Sequence, residues 1–184
     1  MDCGKCFAIE QRGAIVARLS HMLLTTKTVI LGVALLGLAG AQTKISGSQN
    51  CAKPDVAHNV QVGDSKTHVM VLTQQKCTWT KPMEMEGVAT KDDLGSGVAD
   101  IHGANSRDQG YDIATMTNGD KVFVRYMGTS KVKDNVPESL EGKWSFAGGT
   151  GKFKSLKGGG TYKGQGKADG TATFDIEGEY TIGK

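Results

Sequence analysis

From residue 42 onward apolar and polar residues alternate with a period of two, and no helical period is sustained. The alternation predicts strands over residues 56–63, 67–74, 77–80, 83–89, 97–102, 110–117, 121–129, 142–148, 158–167 and 171–182. Residues 92–97 and 103–108 read as loops, and 131–140, which contains Pro137, as the longest connection. Short strands separated by turn signals at this spacing point to an all-β, antiparallel sandwich or barrel.

Two hairpins can be given a register. In residues 111–127, Asn118-Gly119 is the favoured pair for a two-residue type I′ turn. Such a turn sets Ile113 opposite Val124, Thr115 opposite Val122, Asp112 opposite Arg125 and Ala114 opposite Phe123. In residues 158–182, Phe174, Ile176 and Tyr180 share an apolar face, while Asp175, Glu177 and Glu179 share the polar one. Lys163, Gln165 and Lys167 mark the outer face of the preceding strand. The faces match only across a three-residue loop, Ala168-Asp169-Gly170, with Gly170 left-handed. Lys163 then opposes Asp175, Gly164 opposes Phe174 and Gly158 opposes Tyr180. Glycines on the inner face leave room for rings lying across the sheet and permit strong curvature.

The same glycine-rich stretch is not a phosphate cradle. The P-loop pattern would need glycine at Phe146 and Ser or Thr at Phe153, and no helix follows.

Residues 1–41 read as a leader and signal peptide preceding one β domain at 42–184. Lys27 provides the positive start, 29–38 the apolar run and Ala39-Gly40-Ala41 the small-x-small cleavage site. Met22 stands where such a signal begins, so residues 1–21 read as an over-extended gene start or a long amino-terminal region. The apolar run is short for a membrane span, so no stable membrane insertion is expected after cleavage. A secreted or periplasmic location follows. The formal charge of the whole chain is +3, but residues 42–184 carry 18 Lys and Arg against 17 Asp and Glu. That balance makes no case for nucleic acid. Cys3 and Cys6 fall in the leader. Cys51 and Cys77 remain, and in an exported protein an even pair is most simply a disulfide. Its loop would contribute about 3 kcal/mol.

The stretch FAGGTGKFKSLKGGGTYKG resembles the GGTG-K/R-F segment of the allene oxide cyclase and dirigent barrels, and of bacterial secreted proteins sharing that barrel. The resemblance covers some thirty residues. It implies an eight-stranded, calycin-type antiparallel barrel with a mainly apolar cavity. Those families cyclise a fatty-acid epoxide or hold phenoxy radicals in a chiral pocket. The cyclase's catalytic residues cannot be matched to positions here, and that activity is not carried over.

His58, His68 and His102 have no metal-motif spacing, so no metal or cofactor is expected. His68 shares a face with Met70 and Leu72; if that face is interior, His68 stands at one mouth. Met83-Glu84-Met85-Glu86 alternates, with Met in the core and Glu in water as the plain reading. With the faces reversed, Glu86 and His68 are the candidate acid–base pair. Trp79, Trp144, Tyr162 and Phe174 are the candidate ligand-lining aromatics. Lys152, Lys154, Lys157 and Lys163 read as a solvated face. The function expected is non-catalytic binding or shielding of a small apolar molecule. An isomerase or cyclase working inside the cavity, and a structural envelope protein, are the alternatives.

Overall fold

Among the residues that the computed structural model describes, 42–134 and 136–183, there are ten strands. They are β1 (Thr43–Cys51), β2 (Val56–Gln61), β3 (His68–Lys81), β4 (Glu84–Met85), β5 (Val88–His102), β6 (Asn105–Met116), β7 (Lys121–Lys133), β8 (Val136–Gly149), β9 (Leu156–Gly166) and β10 (Ala172–Ile182). The leader, its cleavage site, Cys3 and Cys6 lie outside the described residues.

All pairings are antiparallel. From β5 to β10 each strand pairs with the next, β10 pairs with β1, β1 with β3, and β3 with β5. Those contacts close an eight-stranded barrel. β1 and β2 lie end to end along one edge of β3, against Cys77–Lys81 and Val69–Gln74 respectively. Pro54 falls in the gap between them, where a residue without an N–H can sit without breaking a ladder. The disulfide Cys51–Cys77 joins the last residue of β1 to its register partner within β3.

The β9–β10 hairpin has the register read from the sequence. Phe174 opposes Gly164, Asp175 opposes Lys163 and Tyr180 opposes Gly158. Gly170 is left-handed, with φ of 88°, and closes the loop through its N–H to the Lys167 carbonyl. The β6–β7 hairpin has a different register. Ile113 opposes Phe123, Ala114 opposes Val122 and Asp112 opposes Val124. The loop has three residues, Thr117 to Gly119, and only Gly119 has positive φ, so the type I′ turn does not form. A shift of one residue exchanges the two faces: Asp112 points inward with Ala114 and Met116, and Ile113 and Tyr111 point out.

Three expected loops are strand. Residues 92–97 lie within β5, 103–108 form a tight turn and the start of β6, and 131–140 is a hairpin between β7 and β8 turning at Asp134. The segments 67–74 and 77–80 are one strand, β3, and β1 was not foreseen.

One end of the barrel is packed solid by Met83, Met85, Val88, Met116, Val122, Phe146, Phe153, Leu156 and Tyr180. The GGTGKF segment builds this plug. Thr150 exchanges hydrogen bonds with Lys121 and donates to Asp120, and a 3-10 turn over Gly151–Phe153 drops Phe153, fully buried, into the barrel end. Gly151 has φ of 52° and lies against the Asp120 carboxylate, so no side chain fits there. Met83 and Met85 are buried and Glu84 and Glu86 exposed, as the plain reading has it.

Candidate functional site

Above the plug the barrel is hollow. A cavity of about 990 Å³ opens at the end bounded by the β5–β6, β7–β8 and β9–β10 turns and by β2. Eight strands enclose an interior wide enough for one small ligand when side chains do not fill it, and here small residues keep it open. The inward rows include Gly95, Gly97 and Ala99 on β5, Gly110 and Ala114 on β6, and Gly128 on β7. Large rings lie flat against the wall where it is made of glycine. The Tyr126 hydroxyl lies over Gly97 and Gly110, that of Tyr162 over Gly128 and Gly142, and the Trp144 indole over Gly178. Trp144 Nε1 donates to the carbonyls of Thr161 and Glu177, both at 3.2 Å. The four aromatics expected to line a pocket, Trp79, Trp144, Tyr162 and Phe174, all stand on this cavity wall.

The cavity is not wholly apolar. Asp93, Asp108 and Asp112 face it from β5 and β6, with Trp79 and Gln49 on the neighbouring strands β3 and β1. Asp93 and Gln49 are only 7% and 8% exposed. Asp93 Oδ1, Asp108 Oδ2, Gln49 Oε1 and Trp79 Nε1 are buried without a hydrogen-bond partner. Buried polar atoms of native proteins are nearly always partnered, by protein or by ordered water. Burial pushes Asp93 up to about 7, against the pull of the Leu94 N–H. Burial, and then the Asp93 charge beside it, holds Asp112 well above the usual carboxylate range. Ionising one carboxyl group opposes ionising the other, so the pair holds its last proton to higher pH than ordinary carboxyl groups do. Burial first, and the nearby carboxylates second, raise both Tyr126 and Tyr162, which remain neutral phenols. The cavity wall therefore offers carboxyl groups, phenolic hydroxyls and an amide.

His68 and Glu86 do not meet there. Met70 and Leu72 are 44% and 49% exposed, so their face of β3, and His68 with it, is the outer wall. Val69, Val71 and Thr73 line the cavity instead. Glu86 is in the β4–β5 turn at the plugged end, where its backbone N–H donates to the Tyr180 hydroxyl. His68 pairs with His102 at the far end of β5, some 45 Å of extended chain from that turn. On the outer wall His68 Nδ1 lies 2.6 Å from Asp64 and its Nε2 2.8 Å from Asp100. Loss of solvent opposes its charged form, but the bonds to Asp100 and Asp64 outweigh that and raise its pKa.

Sequence reasoning missed Asp93, Asp112 and Tyr126. A three-residue loop at Thr117–Gly119, of the kind assigned to the other hairpin, turns Asp112 inward and would have found it.

No family model matches the chain, and no curated protein does. Among solved structures it is similar to the pterocarpan synthase dirigent protein GePTS1. The two are 14% identical over 78% of this chain and 87% of that one, with a TM-score of 0.43.

Proposed function

We propose that the barrel binds one small, largely apolar molecule through its open mouth and sets a hydroxyl or amine of that molecule against Asp93 and Asp112. The observation that carries this reading is the half-filled interior, an open cavity walled by apolar and aromatic side chains with Asp93, Asp108, Asp112 and Gln49 among them. Apolar walls with a few converging polar groups are what small-molecule sites are built from. Trp79, Trp144, Tyr162 and Phe174 would supply contact area, and the carboxyl pair orientation. The Cys51–Cys77 disulfide fits a secreted or periplasmic setting.

The test is native mass spectrometry of the purified protein together with titration by an anilinonaphthalene fluorophore. One fluorophore per chain is expected, with quenching of Trp79. Ala99→Trp, which projects into the cavity, should weaken uptake at least tenfold without lowering Tm. A bare native mass and fluorophore uptake indifferent to Ala99→Trp would overturn the reading.

A second reading, an isomerase or cyclase, is favoured by one observation: Asp93 and Asp112 face the cavity together, and burial raises both carboxyl groups toward the form a general acid needs. It requires Asp93→Asn to abolish turnover of a bound compound while leaving its affinity within a few fold.

A further inference from the structure

The β3–β5 ladder places His68 directly opposite His102 on the outer wall, their rings 3.5 Å apart between centroids. Asp100, two residues before His102 on the same face, presents Oδ1 to both, 2.8 Å from His68 Nε2 and 3.6 Å from His102 Nε2. One ligand atom from each of the three residues falls within 4.8 Å of the others. Asp64 holds the opposite nitrogen of His68. We infer that His68, His102 and Asp100 form a binding site for a divalent transition metal of the zinc class, with Asp64 orienting His68 from behind.

The distances suit such an ion. Tetrahedral bonds of about 2.0–2.1 Å put neighbouring ligand atoms about 3.3 Å apart. The two contacts to Asp100 bracket that spacing, and all three ligand atoms lie within 4.8 Å of one another. The hydrogen-bond partners are compatible with this. A cation placed between His68 Nε2 and Asp100 leaves Nδ1–H to donate to Asp64. A carboxylate behind a ligating imidazole is the usual outer partner in zinc sites, where it fixes the tautomer and raises basicity. Two imidazoles and one carboxylate match zinc, copper or nickel better than magnesium or calcium.

The site has an open side. His68 is 12% exposed, Asp100 41% and His102 57%. Asp100 and His102 also line a polar surface groove of about 470 Å³ with Arg107, Lys131 and Glu141. Three protein ligands and an accessible fourth position are the pattern of a metal that also binds water or an exchangeable ligand. Arg107 stands opposite Asp100 across the β5–β6 ladder but forms no ion pair with it among the described residues. Chain spacing hid the site: His68 and His102 are far apart in sequence and meet only through the strand register.

The test uses the full, untagged chain carrying Cys3→Ser and Cys6→Ser, so that the amino-terminal pair adds no site. The protein is stripped with EDTA, dialysed and titrated calorimetrically with Zn²⁺. We expect one Zn²⁺ dependent on this cluster, at micromolar Kd or tighter, and a Co²⁺ form with the intense visible bands of four-coordination. His102→Ala should weaken binding at least 100-fold, and Asp64→Asn about 10–100-fold. Because His102 is on the surface, its variant should keep the parent's melting temperature in EDTA, which separates lost ligation from lost folding. Absence of zinc uptake, or uptake unchanged by His102→Ala and Asp100→Asn together, would show a proton-bonded cluster and overturn the assignment.

Discussion

At Asp93 the barrel keeps a carboxyl group almost out of water with one oxygen unpartnered. Its folded-state pKa of about 7 stands above the ordinary value of about 3.9. The folded chain thus holds the proton more tightly than the unfolded chain. The stabilising contribution is full below about pH 4 and is lost as the pH rises through 7. Asp93→Asn keeps the shape and removes the ionisation. It is expected to leave stability at pH 4 nearly unchanged and to add about 1–3 kcal/mol at pH 8, several degrees in Tm. Thermal melts of both proteins from pH 4 to 8 measure this. Parallel curves would mean that the strain of ionisation is absent. Such a cost is the kind a protein carries where the group has work to do.

Among the elements, the wall is thinned where it must accept a ring. A Cβ on Gly97 would overlap the Tyr126 hydroxyl, while its next neighbour, the Gln109 carbonyl, stands at 3.3 Å. Gly97→Ala should therefore cost about 1–3 kcal/mol. Much of that loss should vanish in a Tyr126→Phe background, because removing the hydroxyl removes the worst contact. A double-mutant cycle from denaturant melts reads the coupling directly; additive losses would show that the backbone, not the ring, sets the cost. The same elements show what the sequence discloses. The register of β9 and β10 was legible to the residue, since Lys163, Gln165, Asp175 and Glu177 mark the outer face. β6 and β7 were not. Tyr111, Ile113 and Met127 are exposed while Ala114, Met116 and Val122 are buried, so both faces look apolar and Asn118-Gly119 favours the wrong loop. The mouth ends of β7 and β8 turn Ser130, Val132, Val136 and Leu140 to the cavity, but Pro137 and the charged residues around it read as a connection. The aromatic half of the candidate site could be read from side-chain type alone. Its carboxyl half depended on register, and the histidine pair on a contact between distant strands.

For the whole molecule the weak point is closure. β1 pairs with β10 through nine residue pairs but with β3 through only four, with a bulge between Ser48 and Gln49. The disulfide spans that short seam and closes a sequence separation of 26 residues. Chain entropy alone gives it about 3 kcal/mol, enough to lower Tm by roughly ten degrees when Cys51 and Cys77 are both changed to Ala. Two mechanisms predict the same Tm and differ in where the protein opens. If the bond acts only on the unfolded chain, the loss of protection in native-state hydrogen exchange will be uniform over the most stable amides. If it also holds the seam shut, amides of residues 48–51 and 77–81 will exchange faster than those of the β6–β7 hairpin, because local opening precedes global unfolding. The second outcome is expected. Four residue pairs are a short ladder, and Cys51 and Cys77 themselves border the cavity, so a frayed seam lets water into the space that a ligand would occupy. Loss of fluorophore binding in the double alanine variant, at a temperature where it is still folded, would tie closure of the barrel to its capacity to hold a ligand.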